Sequence, residues 1–319
     1  MVTQPSSVVS EYEHARRHAA LFDLTGRGQI EVVGPDAAAF LHNLCTNDIK
    51  NLPIGSACEA FFCNAKARVI AYTLVYRSSP DQFWVDVAPG RNDTLYRHLD
   101  HYRISEQVEL IDRTDEFGVL HLAGPKAPTL RDIMPGEAGG QVRRHEPLGL
   151  PGFDMVLPRS QIPGVRDRLL AAGAAPASLE TYRMLRIEAG TPVDGEEIDA
   201  DRFVVEVGRG SSAICPTKGC YLGQEPIVMA RDRGHVNRQL LGLRFADDAP
   251  VLAGAMVRRG SEEVGTVMSA VRSPALGVTI ALAYLRRGCQ EPGTAVEVVT
   301  PGGTRAAVVA SLPFVGSPA

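Results

Sequence analysis

Thr217-Lys218-Gly219-Cys220-Tyr221-Leu222-Gly223-Gln224-Glu225 lies just before the texture of the chain changes. After about Gly234, six short strand-like runs follow with no helix between them: Leu240–Phe245, Ala255–Arg259, Gly265–Val271, Val278–Leu285, Ala295–Thr300 and Thr304–Leu312. Gly260-Ser261 and Pro301-Gly302-Gly303 supply turns between them. Such a run predicts a small β-barrel or sandwich of roughly 80 residues. The boundary is expected near Gly234–Arg238, dividing the chain into residues 1–234 and 235–319.

Upstream the signals are mixed. Gln29–Val33 reads as a strand ending at Gly34, and Pro35 opens a helix, where its missing N–H costs nothing. Ala57–Cys63 and Arg68–Tyr76 read as two strands joined by the short Asn64-Ala65-Lys66-Ala67 loop. Phe83–Val87, Val108–Ile111, Gly118–Leu122 and Gly152–Leu157 are further strands. Helices are predicted from a cap at Asn92 or Asp93, over Val165–Ala172, and over Leu179–Ile187 with Ser178 as cap. This mixture predicts an α+β body. The opening run to about Ser10 and the closing Gly316–Ala319 are small or polar and are expected to fray.

The 319 residues are 45% hydrophobic and 22% charged, the balance of a globular protein with two or three domains. No run reaches the ~18 uncharged apolar residues of a membrane helix. The N-terminus lacks a basic stretch followed by an apolar one, so a cytoplasmic protein without membrane contact is expected. The six cysteines form no C-x-x-C pair and are expected to be free thiols. With 33 basic against 37 acidic residues, a broad nucleic-acid footprint is disfavoured. No zinc or iron–sulfur ligand set emerges from the scattered His and Cys residues, so no metal is expected.

The Thr217–Glu225 stretch has a chemistry of its own. Glycines at 219 and 223 permit sharp turns and close approach of another molecule. In an extended segment Lys218 and Cys220 point to the same side, and an ammonium beside a thiol favours the reactive thiolate. Gln224-Glu225-Pro226 suits a first helical turn, which adds a dipole to the same effect. Cys220 and Lys218 are therefore the catalytic candidates, weighed against a tight turn with a merely buried cysteine. In Arg183–Gly190, Glu188 stands in the last turn of a helix, where the dipole disfavours an anion. A carboxylate so placed can pair with a ring offering two adjacent N–H donors, as a pterin does, or with a neighbouring arginine. Thr46-Asn47-Asp48 reads as a hydrogen-bonding turn after a helix.

Lys218-Gly219-Cys220-Tyr221-Leu222-Gly223-Gln224-Glu225 resembles the K-G-C-[YF]-x-G-Q-E signature of the YgfZ family, a branch of the glycine-cleavage T-protein (GcvT, aminomethyltransferase) superfamily. Leu21–Gly28, Phe40–Asp48, Arg186–Gly190 and Gly195–Asp199 resemble other segments of that superfamily, so the likeness runs from about residue 15 to 312. It implies two interleaved α+β subdomains plus a C-terminal antiparallel β-barrel around a central folate pocket. It implies tetrahydrofolate, in one-carbon-substituted or polyglutamylated form, as cofactor. Glu188 would hold the pterin, Tyr76, Leu74 and Asn47 would line the pocket, and Lys218 would meet the folate tail. The implied role is an accessory protein for assembly, repair or activity of iron–sulfur enzymes, including those that modify tRNA, with Cys220 as working thiol. One departure bears on enzymatic activity. Where T-proteins carry V-I-D-D-L, this chain reads Val69-Ile70-Ala71-Tyr72-Thr73-Leu74, and both acids are absent. A folate-dependent aminomethyltransferase or demethylating one-carbon transferase is thus the alternative, alongside a non-catalytic folate-binding scaffold.

Overall fold

The computed structural model describes residues 6–131, 139–234 and 236–316. In chain order the elements are α1 (Ser6–Arg17), β1 (Ala20–Asp23), β2 (Gly28–Val33), α2 (Ala37–Leu44), β3 (Ala57–Cys63), β4 (Val69–Ser79), β5 (Gln82–Val87), α3 (Asn92–Tyr102), β6 (Glu109–Asp112) and β7 (Phe117–Ala123). They continue with α4 (Ala127–Arg131), β8 (Gln141–Arg144), β9 (Gly152–Pro158), α5 (Ile162–Ala171), β10 (Ala175–Ala177), α6 (Leu179–Glu188), α7 (Gly210–Ala213) and α8 (Gln224–Arg233). The last six are β11 (Arg238–Phe245), β12 (Met256–Arg259), β13 (Glu262–Arg272), β14 (Thr279–Arg286), β15 (Ala295–Thr300) and β16 (Gly303–Ala310).

Two five-stranded sheets and one closed barrel organise these elements. The first sheet has the order β3-β4-β5-β2-β6 and the second β10-β1-β7-β9-β8. The chain starts in the second sheet with β1, builds the whole first sheet, and returns with β7, so the two α+β units are interleaved. Alternation along the strands decides which face each residue serves. In β4, Ala71, Thr73 and Val75 turn to the helix-covered side, where Ile30, Phe62 and Val85 pack with Leu41 of α2 and Leu95 and Leu99 of α3. Tyr72, Leu74 and Tyr76 turn the other way. In the second sheet Leu120, Leu122, Met155 and Leu157 pack under Leu130 of α4 and Val165 and Leu169 of α5.

The barrel closes in the order β11-β14-β13-β12-β15-β16, all antiparallel. Leu243, Phe245, Val257, Val267, Val298 and Val309 fill it. Its outside meets the α+β body through Ile187 of α6, packed with Leu240, Ile280, Leu282 and Tyr284. Beside that seam, buried Arg186 bonds both carboxylate oxygens of buried Glu197, and Ser269 of β13 donates to the same carboxylate.

The expected late all-β unit and mixed body are both present, with two local differences. Ser6 onward forms α1, seated by buried Val8, Tyr12 and Ala15, while the expected fraying of residues 1–5 and 317–319 lies outside the described residues. Asn92 is the first residue of α3 rather than its cap, because its amide donates to Asp112 at 2.8 Å across to β6. Ser178 does cap α6, its hydroxyl accepting from the N–H of Thr181. Among the described residues no helix is long and apolar enough to cross a membrane.

Candidate functional site

The loop before α8 is pinned from inside. Lys218 is buried, and its ammonium donates to the main-chain oxygens of His42 (2.5 Å), Cys45 (2.8 Å) and Asn47 (2.7 Å). These carbonyls lie at and just past the end of α2, where a helix leaves acceptors unmet and its dipole favours a cation. Burial holds the ammonium below the usual lysine pKa, opposed by Cys45, Asp48, Cys215 and Cys58. The extended arrangement that would set Lys218 beside Cys220 does not form. Three carbonyls outbid one thiol for the ammonium, so Lys218 turns inward while Gly219 and Cys220 stay exposed.

Two more contacts fix this loop. Leu222 donates its N–H to the oxygen of Asn43 at 2.9 Å. Gly223 has φ +81°, and a Cβ there would fall 2.6 Å from the oxygen of Asn64 and 2.7 Å from Sγ of Cys63, so no other residue fits without displacement. α8 begins at Gln224, as the sequence suggested, with Cys220 on the surface just ahead of it. All six cysteines are free. Cys58 and Cys63 have their thiol pKa pushed up to about 12 by burial, which makes them unreactive.

The two sheets face each other through polar side chains. Phe22, His121, Asp154 and Arg143 are successive cross-strand neighbours over β1, β7, β9 and β8. Arg143 is wholly buried, yet its hydrogen bonds go to two neutral amides: Nη1 to Gln29 (3.2 Å), and Nε and Nη2 to Gln141 (3.0 and 2.6 Å). Its guanidinium carbon lies 5.1 Å from the Tyr76 ring and 5.9 Å from Trp84. Burial lowers its pKa to about 10, partly offset by the charges of Asp86 and Asp154. Asp86 in turn accepts from Gln29 and from Arg27 Nε at 2.6 Å.

Asp154 joins two imidazoles, with its oxygens 2.7 Å from Nδ1 of His121 and 2.6 Å from Nδ1 of His145. Burial works against charge at both ends of the second pair, but the contact wins, raising His145 and holding Asp154 well below the usual carboxylate range. The three ligand-type atoms lie within 4.8 Å of one another, a grouping that no sequence spacing suggested. Their N···O separations are those of hydrogen bonds. Nε2 of His121 is buried without a partner.

Two cavities share walls with this interface. One, of about 440 Å³, is lined by Cys58, Glu59, Leu74, His145 and Ser212 among others. The second, of about 350 Å³, is lined by Leu24, Arg27, Pro89, Tyr182 and Asp194 among others. The position of the absent acid pair falls beside both. The Tyr72 hydroxyl accepts from Arg209 Nε at 3.1 Å, Arg209 also pairs with Glu59, and the Tyr72 N–H donates to Asp194 at 3.0 Å.

The residues named from the sequence are distributed unevenly over this geometry. Leu74 lines the larger cavity, and Tyr76, two residues along the same strand face, covers Arg143. Asn47 donates to the oxygens of Glu59 (2.7 Å) and Ser212 (2.9 Å), joining two walls of that cavity. Glu188 lies at a different joint. Its carboxylate accepts from Tyr12 (2.6 Å) and from Ser273, Arg16 is 3.9 Å away, and its main-chain oxygen accepts from Phe314 at 2.8 Å. Burial raises its pKa, with these donors opposing. These contacts link α1, α6 and the barrel, and Glu188 lines neither of the two cavities. No local pattern in the chain marked Arg143, Asp154 or Asp194. Only His121 left a trace, as a polar residue in the apolar run Gly118–Leu122.

Two interleaved α+β units and a closed six-stranded antiparallel barrel define a fold of the glycine-cleavage T-protein type. Residues 3–136 match the GCVT N-terminal domain, and residues 238–316 match the glycine cleavage T-protein C-terminal barrel domain. The glycine cleavage system aminomethyltransferase T from Bartonella henselae superposes with a TM-score of 0.91 at 25% identity, covering 99% of this chain and 91% of that one. The chain is 30% identical over 301 residues to an aminomethyltransferase of Rubrobacter xylanophilus, spanning 89% of this chain and 80% of the relative. It is 29% identical over 347 residues to one from Symbiobacterium thermophilum, spanning 100% of this chain and 92% of the relative. The chain belongs to the glycine cleavage T-protein (GcvT) family.

Proposed function

We propose that this chain is a YgfZ-type member of its family: a cytoplasmic protein that binds tetrahydrofolate between its two sheets and supports iron–sulfur enzymes, tRNA-modifying ones included, through the exposed thiol of Cys220. The observation that carries the reading is the loop around that thiol. A buried lysine, an obligatory glycine and a main-chain bond to Asn43 hold it rigid, and Cys220 is turned to solvent. A loop held this firmly presents its side chain in one place, as a working group requires. The cavity beside Leu74 is walled mainly by polar residues such as Glu59, Arg144, His145 and Ser212, while the one beside Tyr182 has the size, the aromatic ring and the mostly apolar walls that suit a heterocyclic ligand. A one-carbon-substituted or polyglutamylated folate fits the same description.

The aminomethyltransferase names of the relatives favour a second reading, and Glu59, close to Tyr72 through Arg209, is a carboxylate near the position the family's acids occupy. Against it stand Ala71 and Tyr72, neither of which is a carboxylate.

One experiment separates the two. Tetrahydrofolate is titrated anaerobically into the wild type and Cys220→Ala by calorimetry, and both proteins are given an aminomethyl-lipoyl carrier protein. The expected result is equal folate affinity for the two, no methylenetetrahydrofolate from either, and loss of iron–sulfur enzyme activity in cells carrying only Cys220→Ala. Methylenetetrahydrofolate formation with release of ammonia would establish the second reading, and a wild type that binds no folate would remove both.

A further inference from the structure

A third cavity, also of about 440 Å³, is walled by β11, β13 and β14 of the barrel and by Gly195, Glu196 and Arg202. Four arginines line it, Arg183, Arg202, Arg238 and Arg286, against two acids, Glu196 and Glu263. Two of the arginines are already engaged. Arg183 pairs with Glu196, which Arg186 also holds. Arg202 gives Nε to Asp199 at 3.1 Å and lays its guanidinium over Tyr284, 4.2 Å from the ring centroid. Arg238 and Arg286 are exposed and have no hydrogen-bonding or ion-pair partner among the described residues. Glu263, also exposed, pairs with neither.

The sheet sets these two charges face to face. Arg238 of β11 stands directly opposite Arg286 of β14, and the next pair on the same side of the ladder is Leu240 with Tyr284. Leu240 and Tyr284 pack outward against Ile187, so alternation puts both arginines on the outer face of the barrel as well. Like charges directly opposed destabilise a sheet. They do not guard an edge against another chain, because the barrel is closed. A bound anion would offset the repulsion.

The arrangement also selects the kind of anion. One carboxylate is used up by a single guanidinium in the two-bond fork. A phosphate group has three terminal oxygens and a charge of about −1.5 to −2 at pH 7, and can accept from two guanidiniums at once. The cavity has the volume for a compact molecule, and a net charge of −4 disfavours a long nucleic-acid track.

We propose that this cavity is a binding site for a small phosphate-bearing molecule, with Arg238 and Arg286 holding the phosphate and Arg202, stacked on Tyr284, forming the adjoining wall. The site depends neither on Cys220 nor on the folate reading.

Calorimetric titration with pyrophosphate on the wild type, Arg238→Gln, Arg286→Gln and Arg244→Gln tests this. Arg244 is an exposed arginine of the same strand that does not line this cavity. We expect one pyrophosphate per chain, a Kd raised about tenfold by Arg238→Gln and by Arg286→Gln, and a change of less than about twofold in Arg244→Gln. Neither cavity variant should lower the melting temperature, since each relieves a like-charge contact. ADP binding more tightly than pyrophosphate marks a nucleotide-like ligand and equal affinity a plain phosphate, and both support the site. Saturating tetrahydrofolate should leave the pyrophosphate affinity unchanged, and tri-γ-glutamate should bind about tenfold more weakly than pyrophosphate. Absence of pyrophosphate binding, or equal weakening in Arg244→Gln, overturns the proposal. Tri-γ-glutamate binding as tightly as pyrophosphate, or displacement of pyrophosphate by tetrahydrofolate, overturns it as well and assigns the arginines to a carboxylate ligand.

Discussion

Replacing Lys218 with methionine separates a structural cation from an activating one. The wild-type ammonium makes three hydrogen bonds, two buried and one partly buried, to carbonyls around the end of α2. At ~1.5–3 kcal/mol for each bond to a charged group, the gross contribution is about 4.5–9 kcal/mol. Desolvating the ammonium on folding takes back several kcal/mol of that, and methionine has no such cost. The variant leaves three carbonyls short of a donor, with water able to reach the one at Asn47, so the net loss is about 3 kcal/mol. Trp84, the single tryptophan, lies buried in β5 of the sheet that α2 covers, so its fluorescence reports this unit during urea unfolding. We expect the Trp84 transition to move to lower urea by an amount equivalent to about 3 kcal/mol, while the exposed Cys220 reacts with an aromatic disulfide within twofold of the wild-type rate. An unmoved Trp84 transition together with a tenfold slower thiol reaction would refute the reasoning and show that Lys218 serves Cys220 directly.

Gly223→Ala tests the other anchor of the same loop. The φ of +81° and the 2.6 Å approach to the oxygen of Asn64 predict a loss of at least ~2 kcal/mol in the same urea assay, where Gly219→Ala, with nothing within 4 Å, should move it by less than half as much. The His145–Asp154 pair at the edge of the second sheet carries a pH signature. His145 has a folded pKa raised above the usual imidazole value of 6.5, so its stabilisation is complete below that value and is lost as pH rises through the folded pKa. Asp154 is depressed, so its share is present above the unfolded carboxylate pKa of 3.8 and is lost only in strong acid. Asp154→Asn should therefore be most destabilising between about pH 5 and 6 and progressively less so above neutrality, as a melting-temperature series across pH would reveal. A pH-independent difference would mean that His145 is neutral in the folded protein.

The chain itself determined its late barrel and its mixed α+β body. The barrel follows from six short alternating runs separated by glycine-containing turns, because period-two patterning and turn residues act over a few neighbours. The helix after Gly223 and the Ser178 cap are local for the same reason. What Lys218, Glu188 and Asp194 do was decided only when distant segments met. Lys218 finds the end of a helix some 170 residues earlier, Glu188 finds Tyr12 and Ser273, and Asp194 finds the unpaired N–H of Tyr72. A buried charge goes to whichever partners best repay its lost hydration, and those partners are carbonyls, hydroxyls and main-chain amides that no spacing along the chain reveals. The polar interface of Arg143, Asp154 and His121 was hidden for the same reason: each residue is ordinary in its own strand and acquires a role only once two sheets are laid face to face.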